Sequence, residues 1–298
     1  MAEIILLDGG MGQELIARSG DAPTPLWATQ VMIDHPGLVG AVHADYFAAG
    51  STVATANTYA IHRDRLVKFG IEDRFAALHT QALAEAAAAR AAHGGGRIAG
   101  SLGPLVASYR PDLHPPHAEA VAKYAEIAAL LAPSVDVFIA ETVASLPHAR
   151  AVLEGAGAGG KPVWLSVTVD DEDGTKLRSG EAVADLGPIL TAGGAQAVLA
   201  NCSAPEAMAA ALKIFAGFGL PYGAYANGFQ QITKEFLKDN PTVDALHARP
   251  EMTPARYADF AALWVGMGAT IIGGCCETTP AHIAEIAQRL VAEGHKVV

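Results

Sequence analysis

The chain of 298 residues is predicted to fold as an α/β protein with a single (β/α)8 barrel of the TIM type. Short apolar runs rich in β-branched residues recur along it, and each is followed by a longer Ala- and Leu-rich stretch with helical spacing. The runs do not alternate polar and apolar residues, which indicates parallel strands that are buried on both faces. An open, doubly wound sheet is the alternative, because alternation of strands and helices does not by itself show closure.

Eight strands are predicted, each bounded by glycine, proline or polar residues: Ile4–Asp8, Thr52–Asn57, Arg97–Leu102, Val135–Glu141, Val163–Val169, Ala197–Cys202, Tyr222–Asn227 and Ala269–Gly274. Eight helices are predicted between and after them: Pro36–Ala49, Glu72–Ala92, Pro116–Leu131, Leu146–Glu154, Ala182–Ala192, Pro205–Gly217, Thr253–Met267 and Pro280–Glu293. Ser203 and Thr279 are expected to cap the helices that begin near Pro205 and Pro280.

Composition favours one large core, since 51% of the residues are hydrophobic. No shift in composition divides the chain, so residues 1–298 are expected to form one barrel domain. Two long connections, 104–117 and 228–250, leave the C-terminal ends of predicted strands. Barrel enzymes place their active sites at that end, so these loops could close over a substrate.

The net charge of −11 and the absence of a Lys/Arg cluster argue against a nucleic-acid partner. No apolar run approaches the roughly 20 residues that a membrane span needs, and the N-terminus does not resemble a signal peptide. Three cysteines, two of them adjacent, make a poor disulfide framework, which is typical of a reducing compartment. A cytoplasmic protein without a membrane partner is expected.

The three cysteines are the strongest candidate site. Cys202 ends the sixth predicted strand, and Cys275 and Cys276 follow the eighth, so a closed barrel would place them on one rim. Three thiolates suit Zn²⁺, which usually takes four ligands, and the fourth position would stay open as in catalytic sites. Small buried cysteines or a redox-active adjacent pair are the alternatives, although such a pair leaves Cys202 unexplained.

Two acidic residues end predicted strands on the same rim. Asp8 is followed by Gly9 and Gly10, where the backbone can approach a ligand closely and its amides can hold a carboxylate. A simple Asp-Gly-Gly turn is the alternative. Glu141 follows an apolar strand and suits an ammonium group through a charge-assisted hydrogen bond, although glutamate is also common near a helix start.

Three further polar residues lie at strand ends. Thr142 follows Glu141 directly and is a candidate neighbour of the substrate. Asn57 ends the second strand and could either orient a substrate or form a turn, and Asn227 at the seventh strand has the same ambiguity.

The longer motifs resemble the homocysteine S-methyltransferase family, which comprises zinc-dependent methyltransferases with a barrel fold, and the resemblance covers essentially the whole chain. It is carried by Asp8-Gly9-Gly10-Met11-Gly12, Asn201-Cys202 with Pro205, Gly273 through Pro280, Gly100 through Pro104, and Glu141-Thr142. The segment before Asn227 departs from the family pattern, in which proline precedes this asparagine.

The resemblance implies that Zn²⁺ is held by Cys202, Cys275 and Cys276, that homocysteine is the methyl acceptor and that methionine is the product. It also implies that the segment at Asp8 contacts the amino-acid part of homocysteine and that Glu141 recognises its amino group. No catalytic residue beyond the metal site is expected, because coordination to zinc already removes the thiol proton.

The methyl donor is expected to be a small sulfonium such as S-methylmethionine or S-adenosylmethionine, since the chain lacks room for the added modules of cobalamin-dependent methionine synthases. Aromatic walls suit such a cation, and the candidates are Trp27, Tyr59, Trp164 and Tyr225. The alternatives are betaine, a separate methylated corrinoid protein, and a non-catalytic zinc- or thiol-binding barrel.

Overall fold

The structure is a computed structural model that describes residues 1–229, 232, 237 and 248–298. Its centre is a curled, nine-stranded sheet in the order β2-β3-β4-β5-β6-β7-β8-β1-β9, in which all pairs are parallel. The strands are β1 (Glu3–Leu6), β2 (Val53–Thr55), β3 (Arg97–Leu102), β4 (Val137–Val143), β5 (Val163–Val167), β6 (Ala197–Asn201), β7 (Tyr222–Ala226), β8 (Ile271–Gly274) and β9 (Lys296–Val297).

The seam between β1 and β2 is closed by backbone hydrogen bonds along one edge of β1. The amide of Thr52 donates to the carbonyl of Leu6 at 2.7 Å. Toward the N-terminal end of β1 on the same edge, the amides of Lys296 and Val298 donate to the carbonyls of Ala2 and Ile4 at 3.0 and 2.9 Å. The sheet therefore curls into a barrel, and the predicted α/β barrel class is confirmed against the open, doubly wound alternative.

Helices cover the outside of the sheet, and the eight predicted ones are all present with ends shifted by a few residues. They are α3 (Leu38–Ala48), α5 (Phe75–His93), α6 (His117–Leu131), α7 (Leu146–Gly157), α8 (Leu186–Ala192), α9 (Pro205–Phe215), α10 (Pro254–Gly266) and α11 (Pro280–Ala292). Three further helices were not predicted: α1 (Met11–Ser19), α2 (Ala28–Asp34) and α4 (Arg63–Leu66). Among the described residues, no helix is long and apolar enough to cross a membrane.

The core has two layers, because successive strand residues point to opposite faces. In β4, Val137 and Ile139 pack inside the barrel, whereas Phe138 and Ala140 pack outward in the layer shared with the helices. Both faces are therefore apolar, which explains the continuous apolar runs in the sequence. Trp164 belongs to the inner layer.

The two predicted helix caps have different outcomes. Thr279 is the N-cap of α11, and its amide donates to Nδ1 of His282 at 3.1 Å, so this prediction is confirmed. The prediction for Ser203 was wrong, because Ala204 occupies the N-cap position of α9. The Ser203 hydroxyl instead accepts a bond from the amide of Val169 at 2.9 Å, which joins the end of β6 to the loop after β5.

The two long connections are only partly described. The connection 104–117 contains a short 3₁₀ turn at Pro111–Leu113. Most of the connection 228–250 lies outside the described residues, although Phe229 and Ala248 form an antiparallel bridge at its ends. Closure of these loops over a substrate stays a prediction.

Candidate functional site

A cavity opens at the C-terminal ends of the strands and encloses about 1030 Å³ of empty space, open solvent at its mouth included. The sequence-predicted site residues all line it: Asp8, Gly9, Gly10, Asn57, Glu141, Thr142, Cys202, Cys275 and Cys276. The barrel thus brings together residues separated by more than half of the chain.

The three cysteines form one cluster of free thiols. Their sulfur atoms all lie within 4.8 Å of one another, and the Sγ atoms of Cys202 and Cys275 are 2.7 Å apart. Cys202 is buried, whereas Cys275 and Cys276 are partly exposed toward the cavity. Among the described residues this is the one group of three or more His, Cys, Asp or Glu side chains that could hold a metal ion.

The thiols cannot all ionise together without a compensating positive charge. Burial opposes ionisation of Cys202, but hydrogen bonds from Cys275 and Cys276 outweigh it and lower the pKa of Cys202 well below the usual value. The bonds to Cys202 in turn raise the pKa values of Cys275 and Cys276. A single thiolate shared by three sulfurs fits a cluster that a cation would complete.

Cys202 is held in a left-handed backbone conformation with φ of 51°, and Thr142 across the rim has φ of 56°. Asn201, which precedes Cys202, clamps Thr142 and Ser166 together: its Oδ1 accepts hydrogen bonds from the amide of Thr142 at 3.0 Å and from the hydroxyl of Ser166 at 2.8 Å. Its Nδ2 donates to the Thr142 hydroxyl at 3.1 Å. These bonds tie the residue that precedes Cys202 to β4 and β5, and Thr142 itself is fully buried.

Backbone strain is concentrated at this cavity. In the described part of the chain, six residues other than glycine have positive φ, and four of them line the cavity: Trp27, Tyr109, Thr142 and Cys202. Such conformations cost on the order of 1–3 kcal/mol each and persist where surrounding contacts enforce them, typically at functional sites.

Gly10 allows the first strand end to pack against the cysteine loop. A Cβ atom on Gly10 would lie only 2.7 Å from the carbonyl oxygen of Cys275. The Gly10 amide donates to the carbonyl of Thr278 at 2.9 Å. The expectation that this amide could hold a substrate carboxylate is therefore wrong for Gly10, whose glycine serves close packing.

Asp8 is buried and faces the cavity from the end of β1. The amide and hydroxyl of Thr55 donate to its two carboxylate oxygens at 2.6 and 2.7 Å. Burial outweighs these bonds and raises the pKa of Asp8 to about 7.

Glu141 occupies the opposite side of the rim. Its carboxylate accepts hydrogen bonds from the hydroxyl of Ser101 and, at 3.1 Å, from the hydroxyl of Tyr225. Burial, helped by the negative charges of Cys202 and Asp8, raises the pKa of Glu141 to about 8. None of the described lining residues is a Lys or Arg that could stabilise the ionised carboxylates. A bound ammonium group would supply that positive charge and lower the pKa of both acids.

The two asparagines at strand ends have different positions. Asn57 lines the cavity, but its Nδ2 donates to the carbonyl of Ala28 at 3.2 Å, so the amide nitrogen holds α2 against the rim. Asn227 is buried beneath the rim and does not line the cavity.

Aromatic rings form a second wall of the cavity, near α2 and the connection 104–117. Trp27 and Tyr59 stack with their ring centres 6.0 Å apart, and the Tyr59 hydroxyl is 2.8 Å from that of Ser108. Tyr109 packs against Cys202. Of the aromatic residues suggested by the sequence, Trp27, Tyr59 and Tyr225 line the cavity, whereas Trp164 does not.

Sequence reasoning missed Tyr109 and Gln13, which also line the cavity. Tyr109 lies in the connection 104–117, whose position after a strand marked it as a candidate loop without indicating which side chain turns inward. Gln13 lies in α1, a helix that was not predicted.

A barrel with three converging thiols and two carboxylates, one buried and one half-buried, at the C-terminal side of its sheet has the site of a TIM-barrel enzyme that works on a thiol or a metal. The chain belongs to the homocysteine S-methyltransferase family: the family profile described as Homocysteine S-methyltransferase matches residues 5–290.

Individual relatives agree over nearly their full lengths. The chain is 31% identical to the homocysteine S-methyltransferase of Escherichia coli K12, with 96% of this chain and 95% of that protein covered. It is 27% identical to homocysteine S-methyltransferase YbgG of Bacillus subtilis, over 95% and 93% of the two chains. The crystal structure of the metallated form of the homocysteine methyltransferase MmuM from Escherichia coli superposes with a TM-score of 0.80 and 28% identity, covering 96% of each chain.

Proposed function

We propose that this protein transfers a methyl group from a small sulfonium, such as S-methylmethionine or S-adenosylmethionine, to the thiol of homocysteine and so produces methionine. Zn²⁺ held by Cys202, Cys275 and Cys276 is part of the proposal. Membership of the family supports the acceptor and the reaction. The observation that carries the proposal is the convergence of three thiols and two carboxylates in one cavity.

The three cysteine ligands fit zinc, because soft thiolates are preferred zinc ligands and three of them leave a fourth position for a substrate. Bound zinc would supply a Lewis acid that lowers the pKa of the acceptor thiol.

The two carboxylates suit the amino group of the acceptor. Glu141 and Asp8 face the same cavity as the thiols, and an ammonium group beside either one forms a charge-assisted hydrogen bond. This contact fixes the acceptor by the end opposite to its sulfur, so that the sulfur is directed toward the cysteines.

The aromatic wall suits the donor. A sulfonium carries a positive charge and suits the aromatic rings of Trp27, Tyr59 and Tyr109, which line the cavity. The guanidinium groups of Arg65 and Arg178 lie near these rings but do not line the cavity. The acceptor sulfur forms a new bond to the methyl carbon as the donor's carbon–sulfur bond breaks. The bonding electron pair stays on the donor sulfur, which leaves as a neutral thioether.

The test is detection of methionine by mass spectrometry from homocysteine and donors that carry a deuterated methyl group. We expect labelled methionine with S-methylmethionine or S-adenosylmethionine in the zinc-loaded protein. Label transfer only from betaine or from a methylated corrin would overturn the donor and keep the acceptor. Transfer to another thiol but not to homocysteine would overturn the acceptor.

A further inference from the structure

A half-buried ion pair lies beside the site in the connection between β5 and α8. Nη2 of Arg178 is 2.7 Å from Oδ1 of Asp171, and the two side chains are only 13% and 14% exposed. Loss of either partner would leave the other charge unpaired and partly shielded from water.

Both members of the pair contact the segment that carries Cys202. Nε of Arg178 donates to the hydroxyl of Thr168 at 3.2 Å, and that hydroxyl donates to the carbonyl of Cys202 at 3.1 Å. Oδ1 of Asp171 accepts from the amide of Ala204 at 2.8 Å. The pair therefore supports the backbone on both sides of the turn after β6.

The same guanidinium also reaches the aromatic wall. Its central carbon lies 5.7 Å from the ring centre of Tyr109, within the range of a cation–π contact. Tyr109 has φ of 61° and Cys202 has φ of 51°, so Arg178 lies where two strained segments meet.

We propose that Arg178, held by Asp171, is a positioning residue that fixes Tyr109 against the Cys202 end of β6 and thereby sets the geometry of the donor side of the cavity. The proposal rests on the proposed function, in which Tyr109 contacts the donor. Arginine is suited to this place because its planar cation can stack on a ring and donate along its edge at the same time, whereas lysine cannot do both.

The expected consequence is specific to the donor. Glu141 and Asp8 are held by Ser101, Tyr225 and Thr55, whereas Arg178 bonds to Thr168 and Asp171. The bond from the Thr168 hydroxyl to the Cys202 carbonyl and the bond from the Ala204 amide to Asp171 do not use Arg178 atoms, so they remain after its loss. Loss of Arg178 should therefore change donor binding more than acceptor binding.

The first experiment compares Arg178→Met and Arg178→Lys with the wild type, all zinc-loaded, using the donor that transfers its methyl group. We expect Arg178→Met to raise the donor KM about 10-fold, which corresponds to the loss of one contact of about 1.4 kcal/mol. Homocysteine KM and zinc content should stay within about twofold of wild type, and Arg178→Lys should recover part of the loss. Arg249→Met is the matched control, because Arg249 pairs with Glu206 and Glu251 and is also largely buried, with 18% exposure.

The second experiment is a double-mutant cycle with Tyr109→Leu. If Arg178 acts through Tyr109, the effects of the two substitutions on donor KM are not additive. An unchanged donor KM in Arg178→Met, equal shifts in both KM values, or full additivity would each overturn the inference. If Arg178→Met does not fold, Arg178→Lys and Asp171→Asn provide the same comparison. Unaltered donor kinetics in Tyr109→Leu would instead contradict the donor half of the proposed function.

Discussion

The two halves of the cavity differ in what supports them. On the acceptor half, Asp8 and Cys202 follow the ends of central strands, and Glu141 lies within β4, where its pairing with β5 shifts register. On the donor half, Trp27 precedes a short helix and Tyr109 lies in a long connection. The cysteine half is therefore built on the sheet, and the aromatic half is built on loops.

This difference has a functional consequence. Chemistry that depends on the position of a sulfur atom gains from a rigid support, because small misplacements are costly in catalysis. Loops can vary without disturbing the sheet, so the donor half is where substrate choice can change while thiol chemistry is kept.

The largest effect is expected at the cysteines. Replacing any one of Cys202, Cys275 and Cys276 with serine should remove most bound zinc and reduce turnover on the order of 1000-fold or more. Replacing a residue that only supports a metal ligand typically lowers metal affinity or activity about 10- to 100-fold. The three cysteines are proposed as the ligands themselves, so a larger loss is expected. Metal analysis and turnover measured on the same samples check this, with circular dichroism as the control for folding. A cysteine variant that keeps full turnover without bound zinc would contradict the proposal.

On the acceptor half, Glu141→Gln should raise homocysteine KM about 10- to 100-fold, since a hydrogen bond to a charged group contributes about 1.5–3 kcal/mol. Steady-state kinetics measure this directly. The control is an acceptor thiol that lacks the amino group, with which wild type and variant should be equal. An increase in KM of the same size with both acceptors would mean that Glu141 does not bind the amino group.

On the donor half, Trp27→Leu should raise donor KM about 3- to 10-fold, because one cation–π contact at a partly open site contributes about 0.5–1.5 kcal/mol. Trp27→Phe keeps an aromatic face and should lose less. Kinetics of both variants at saturating homocysteine separate the two cases. Equal losses in the leucine and phenylalanine variants would argue against an aromatic role.

The sequence predicted the residues of the acceptor half better than those of the donor half. The strand ends that carry Asp8, Glu141 and the cysteines were located, because buried parallel strands leave a clear apolar pattern and their C-terminal ends must share a rim. Tyr109 was not identified, since its direction depends on a left-handed backbone that no local pattern marks. Trp164 was wrongly expected near the rim: it lies near the start of β5 and packs in the barrel interior.

The clamp made by Asn201 and the pair Arg178–Asp171 were likewise not predicted. Each joins segments that are far apart in the chain, and polar residues in loops have many local roles. Only the closed barrel shows that Asn201 contacts Thr142 and Ser166, and that Arg178 reaches Tyr109.

The last prediction concerns the pH dependence of stability. Burial raises the pKa of Asp8 to about 7 from a model-peptide value of 3.8, so the folded protein binds this proton more tightly than the unfolded chain does. The associated stability is fully present below about pH 4 and is lost as pH rises to about 7. In urea unfolding without substrate, the advantage of wild type over Asp8→Asn should shrink by on the order of 1–3 kcal/mol between about pH 4 and about pH 8. An advantage that grows with pH would show that Asp8 is ionised in the folded protein.

The central claim is that three cysteines hold zinc with one position open for the acceptor sulfur. Zinc X-ray absorption spectroscopy counts the sulfur ligands directly, with and without homocysteine. We predict three sulfur ligands at about 2.3 Å in the substrate-free protein and four after homocysteine is added. A sulfur count that does not change on adding homocysteine, or four sulfur ligands before it is added, would contradict the claim.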